Sequence, residues 1–353
     1  MEKYLRLILL LALILFGACS DDSSMEPEDE NPIQLLSSIA VAGNSLSDVW
    51  GYVDPATGKE YALVGHLNSS NPSGITIIDV SDPTAPVQVA QLNDVPGFDL
   101  KVYQNYMYSV TGGSFGSGSI VDISDPANPA VGGTFPSSHN ITVTANGLLI
   151  AESPGLKIYN LASTPTSPQL LWEGGDLRDG HDATVVGNML YDFHGYSNTN
   201  IYDISSPSEP ILRGIISDPS IRYNHSGYPS ENGDFLLIAD ELALEAGAVD
   251  ITVWDISDLS NPTRIGEYND NTAIVHNIYI IGDLAYVSYY SAGLRIFDVS
   301  DPANMTLLAE YDTSPDFANQ DFVGAFGVYP YAPSGVLYVS DILSGLLLFR
   351  FIP

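Results

Sequence analysis

"GITIIDVSDPTAPVQVA", Gly74 to Ala90, alternates apolar side chains up to Asp79, breaks at Ser81-Asp82-Pro83, and resumes after Pro86 with Val87 and Val89. Alternation with period two reads as a strand; the acid can accept a bond from its own backbone two residues on, and proline presets the turn. The stretch is therefore two antiparallel strands joined by a turn. The same phrase recurs as "GSIVDISDPANPAVGG" at Asp122, "GLKIYNLASTPTSPQLL" at Asn160, "TNIYDISSPSEPILRG" at Asp203, "ITVWDISDLSNPTRIGE" at Asp255 and "GLRIFDVSDPANMTLLAE" at Asp298. A last copy, "GLLLFRFIP", has Arg350 where the others have the acid. The intervals between these positions are 43, 38, 43, 52, 43 and 52 residues.

Seven such units, rich in β-branched and aromatic residues, predict a propeller of four-stranded blades. Each phrase is preceded by a second strand ("EYALVG", "NYMYSV", "GLLIAE", "NMLYDF", "DFLLIA", "DLAYVS", "GVLYVS"). Before that lies an innermost strand ("DVWGYV", "DLKVYQ", "HNITVT", "HDATVV", "HSGYPS", "HNIYII", "AFGVYP"). The last unit stops after its third strand, and the missing piece stands at the other end of the chain, where "NPIQLLSSIAV" from Asn31 matches "APVQVAQL" from Ala85. The expected fold class is all-β, a seven-bladed β-propeller over residues 32–353 closed by an N-terminal strand that completes the last blade and removes exposed edges.

Residues 1–18 read as a secretory signal: a charged start with Lys3 and Arg6, an apolar run from Leu7 to Phe16, then small residues before Cys19. The run is short for a membrane span. "FGAC" resembles a lipobox, so Cys19, the one cysteine in the chain, is the expected lipid attachment site. Residues 19–31 are acidic and aperiodic, as a solvated tether is, and "SDD" after Cys19 resembles the acidic surface-export signal of Bacteroidetes lipoproteins. The expectation is an exported protein, lipid-anchored in an outer membrane at the cell surface, and monomeric. The formal net charge of −32 repels nucleic acid and anionic lipid and suits cations.

The repeat resembles that of the LVIVD-repeat proteins, and over nearly the whole mature chain it is similar to the choice-of-anchor B family of secreted bacterial proteins. The stretches that carry the likeness are "SDVWGYVDPATGKEYALVG", "GDFLLIADELAL", "HNIYIIGDLAYVSYYSAGLRIFDVSD" and "GVYPYAPSGVLYVSDILSGLLLFRF". The resemblance implies an exported repeat domain with a variable means of attachment, and brings no reaction with it. The chain departs from the regular repeat at "YNLAST", "NHSGYPSENG" and Phe326.

The histidines follow the blades. His139, His181, His225 and His276 stand at the starts of innermost strands, and His66 and His194 at the ends of second strands, so all six are expected on one propeller face. Acids share these positions: Asp48, Asp99 and Asp182 at strand starts, and Glu152, Asp240, Glu241 and Asp341 at second-strand ends. His181 and His194, thirteen residues apart, should return to the same rim. Three readings stay open. The side chains stabilise turns; or the rim binds a glycan or protein over an aromatic floor of Trp50, Tyr223, Tyr228, Tyr289, Tyr290 and Tyr329; or imidazoles and carboxylates converge on a divalent cation, Ca²⁺ or a transition metal.

No H-E-x-x-H, phosphate loop or strand-to-helix G-x-G-x-x-G occurs, and the one G-x-S-x-G match, "GGSFG" from Gly112, has no helix behind it to form a nucleophile elbow. "GGSFGSG" from Gly112 reads as a loop. "DELALEAGAVD" from Asp240 is an acidic insertion that lacks the alternating ligands of a tight Ca²⁺ loop. The expected function is a binding module acting through the channel face; the alternative is a metal-dependent hydrolase or oxidoreductase using the same histidines.

Overall fold

The computed structural model describes residues 31–41, 45–67, 73–113, 115–152, 155–175, 180–270, 272–317 and 322–353. The signal, the lipobox with Cys19, and the tether up to residue 30 lie outside the described residues. Within them the strands form seven four-stranded antiparallel sheets, the blades of a β-propeller. Blades 1 to 6 each use four strands consecutive in the chain, innermost first. Blade 1 is Leu46–Val53, Glu60–His66, Ile75–Asp79 and Val87–Leu92.

Blade 7 runs outward from Ala325–Tyr329 through Val336–Asp341 to Gly345–Phe351, and its fourth strand is Ile33–Ile39 from the other end of the chain. The pairing is in register from Ile33 opposite Phe351 to Ile39 opposite Leu346, with a bulge between Leu35 and Ser37. The outer edge of the last blade is thus covered from within the molecule, as the unfinished last repeat requires.

The recurring phrase has the structure its residues dictate. Asp79, Asp122, Asp203, Asp255 and Asp298, with Asn160 in the third unit, each accept the backbone N–H two residues on at 2.8 to 3.0 Å. The third and fourth strands of blades 1 to 6 share one bulge at a common place, between Ile77 and Ile78 in blade 1 and between Ile296 and Phe297 in blade 6. The second and third strands are buried on both faces because neighbouring blades sandwich them, which is why they read as continuous apolar runs; the outermost strand of blade 1 is only exposed or half-buried along its length. Apolar clusters fill the gaps between blades: Leu237, Val253, Val275 and Val287 between blades 5 and 6, and Val49, Val64, Tyr338 and Leu348 between 7 and 1.

Candidate functional site

The innermost strands surround a central cavity of about 550 Å³. Its walls are layered because each strand offers equivalent residues at equivalent depth. Phe98, His139 and His181 directly before their strands, His276 two residues before its strand, and His225 and Phe326 second in theirs make the first layer; the next position supplies Asp48, Asp99, Asn140, Asp182, Ser226 and Asn277. Two residues further, on the same face by strand alternation, come Trp50, Lys101, Thr142, Thr184, Tyr228 and Tyr279.

The first layer is a closed ring of six side-chain rings. His139, His181, His225 and His276 follow one another at centroid separations of 4.2, 4.3 and 4.5 Å. Phe326 lies 4.4 Å beyond His276, Phe98 lies 5.8 Å from Phe326, and Phe98 returns to His139 at 5.0 Å. Blade 1 has the small Ser47 at this position, and its hydroxyl donates to the Gly97 carbonyl at 2.5 Å. The two phenylalanines therefore meet across it.

Three of the imidazoles are tied to the next blade by Nδ1. His181 reaches the carbonyl of His225 at 3.3 Å, His225 that of His276 at 3.2 Å, and His276 that of Phe326 at 2.5 Å. His139 uses the Gly112 carbonyl instead, at 2.8 Å. A carbonyl only accepts, so Nδ1 carries the proton and Nε2 keeps its lone pair. Burial pushes the pKa of His225 well below the ordinary imidazole value, with further lowering from His181 and His276 beside it, and lowers His139 and His276 too. His181 moves the other way: burial opposes its charge, but the Asp182 carboxylate 3.4 Å from Nδ1 outweighs that.

Glu241 comes from the loop after the second strand of blade 5 and lines the same cavity. One carboxylate oxygen stands 3.6 Å from His225 Nε2, the other 3.8 Å from His276 Nε2, and Tyr290 donates its hydroxyl to it at 2.9 Å. Ligand-capable atoms of His181, His225 and Glu241 all lie within 4.8 Å of one another, and so do those of His139, His181 and Asp182.

On the opposite wall Lys101 lies between Asp48, at 2.8 Å, and Asp99, with its ammonium 4.7 Å from the centre of the Trp50 ring. Burial raises the Asp48 pKa. It also opposes ionisation of Asp99, but there the charge of Lys101 wins and holds the value down. One carboxylate thus matches the ammonium while the other favours its neutral form. In the third layer Trp50, Tyr228, Tyr279 and Tyr331 form a connected aromatic cluster, with Tyr331 donating to Tyr228 at 2.9 Å.

Most of the remaining expected rim residues go elsewhere. His66 is held by the Ser73 carbonyl and the Thr76 hydroxyl inside blade 1. The backbones of His181 and Phe193 do pair, but His194 turns away from the cavity and joins Asp192 and Glu152 in a second buried cluster. Asp240 accepts the backbone N–H groups of Arg222, Tyr223 and Leu242, and Asp341 those of Leu343 and Ser344, which is turn stabilisation. The acids of the Asp240 insertion point to different partners, Glu245 lying 4.0 Å from Arg222, so they make no common cage. Tyr290 lines the cavity, Tyr223 packs edge-on to His181, Tyr329 packs on Trp50, and Tyr289 is buried in the core with its hydroxyl on Asp250. Lys101, Phe98, Tyr279 and Tyr331 went unrecognised in the sequence; Lys101 stands two residues on from Asp99 and Tyr279 two on from Asn277, the same step that leads from Asp48 to Trp50.

The chain matches no curated protein. The LVIVD repeat is matched at residues 61–94, 98–136, 181–220, 232–270 and 274–313, five copies that together span more than half of the 353 residues. The unmatched parts include blade 3, which carries "YNLAST", and blade 7, which carries Phe326. Repeats, blades and match agree, and the chain belongs to the LVIVD-repeat family.

Proposed function

We propose that the protein is an exported, lipid-anchored binding module that takes its ligand in the mouth of the propeller channel. The observation that carries this reading is the cavity itself: about 550 Å³, walled by imidazoles on one side, a buried ion cluster on the other and an aromatic cluster between them. That volume suits a small molecule, a sugar unit or an inserted side chain, and aromatic faces beside placed polar groups suit glycans and peptides. Support for the anchor is the apolar run from Leu7 to Phe16 followed by Gly17-Ala18-Cys19, and the reading sets the module at the surface of an outer membrane. A metal-dependent enzyme is the second reading, favoured by Glu241 facing two imidazole Nε2 atoms.

The test pairs location with occupancy. Cys19→Ser should move the protein from the membrane to the soluble fraction with its fold intact; retention after carbonate washing rules out the anchor. Residues 20–353, screened on glycan and peptide arrays, should bind one class, and Thr142→Trp, which fills the cavity, should abolish that binding. Unchanged binding by a folded Thr142→Trp variant removes the channel from the reading, and silence on both arrays removes the binding module for these ligand classes.

A further inference from the structure

We propose that His181, His225 and Glu241, whose ligand-capable atoms lie within 4.8 Å of one another, form the core of a binding site for one divalent first-row transition-metal ion, with His276, 3.8 Å from the other Glu241 oxygen, completing it, an inference that rests on the channel mouth being the functional face. The distances point to a shared ligand. At 3.6 and 3.8 Å the Glu241 oxygens are too far from the two Nε2 atoms to be hydrogen-bonded to them. They are close to the separation of about 3.4 Å between neighbouring ligands in a tetrahedral shell with bonds of about 2.1 Å.

The imidazoles are also preset as ligands. Each of the three has Nδ1 on a backbone carbonyl of the next blade, which fixes ring orientation and leaves Nε2 unprotonated, the arrangement that supporting bonds give metal-ligating histidines. Ring packing alone does not require histidine, since blades 2 and 7 use Phe98 and Phe326 at the same position. Histidine occurs in the consecutive blades 3 to 6, on the side that Glu241 reaches. Among the described residues the basic groups within 4.0 Å of the Glu241 carboxylate are the His225 and His276 imidazoles. A dication bound among them matches that carboxylate. Imidazole-rich sets select zinc, copper, nickel or iron over calcium, which takes oxygen ligands.

Tag-free residues 20–353 stripped with chelator, titrated with Zn²⁺ and freed of excess by gel filtration, should retain one equivalent per chain by elemental analysis. Co²⁺ should give the visible absorption of an ordered low-coordinate site. His225→Phe and His276→Phe keep the ring contacts, and Glu241→Gln keeps the size. Each should weaken Zn²⁺ binding by at least about 100-fold while circular dichroism stays unchanged, and His139→Phe should retain the metal. No retention of Zn²⁺ or Co²⁺ by the wild-type protein overturns the proposal, as does one equivalent retained by both His225→Phe and Glu241→Gln. Ligand capture on the arrays by metal-free protein would separate the two readings: it leaves the binding module standing when the metal site fails, and stoichiometric metal with silent arrays does the converse.

Discussion

Where blades 1 and 2 meet, three glycines let backbone approach backbone. A Cβ on Gly97 would stand 1.9 Å from the Gly74 carbonyl oxygen, and one on Gly65 would stand 1.9 Å from that of Gly97. Neither obstacle is a side chain that can swing aside. Gly97→Ala is expected to lower stability by about 3 kcal/mol, since a packed contact must separate to admit the methyl group. Gly58 has a positive φ of 72° with open space around its Cβ position, so Gly58→Ala should lower stability by only about 1 kcal/mol, through backbone strain. Urea denaturation midpoints of the two variants check this. Equal losses would mean that the approach at Gly97 relaxes freely.

The strand Ile33–Ile39 is the element on which closure depends. It covers the edge of Gly345–Phe351 and places Ile33 against Phe349 and Leu294 in the core between blades 6 and 7. It also accounts for Arg350. In blades 1 to 6 the acid or asparagine at this position shapes the turn into the fourth strand, whereas in blade 7 the fourth strand arrives from the other terminus and no turn follows. Removing residues 32–41 should expose this edge and lower the melting temperature by at least about 5 °C, with aggregation on heating. Removing residues 20–30 should leave the melting temperature unchanged. Identical melting curves for the two truncations would show that the strand is dispensable.

Over the whole molecule the formal net charge of −32 sets a repulsion that local bonds offset only in part. Many of the acids are engaged in turns, as Asp79 and Asp298 are, but such bonds leave the net charge in place. Raising the salt from about 0.01 M to about 1 M shortens the screening length from about 30 Å to about 3 Å. The melting temperature of metal-free protein should then rise by a few degrees; a fall would mean that salt breaks attractive pairs such as Arg295 with Asp270 more than it relieves repulsion.

Periodicity and spacing determined the blades in advance, because strand alternation is local in the chain and recurs in all seven units, and the acid or asparagine two residues before a backbone N–H recurs in six of them. The unfinished last phrase likewise announced which terminus closes the ring. The starts of the innermost strands were legible too, and with them the four histidines at the channel mouth. Only the tertiary structure decided what lay between blades. His194 and His181 stand on paired backbone, yet one side chain turns into a buried cluster and the other into the channel, since neighbouring blades leave different space on the two sides of the sheet. Glu241 and Asp240 are adjacent, but one reaches the imidazoles while the other binds turn amides. Lys101 joins Asp48 across a blade boundary 53 residues wide in sequence. Such convergence depends on the rotation between blades, which follows from how whole sheets pack and leaves no periodic trace in the chain.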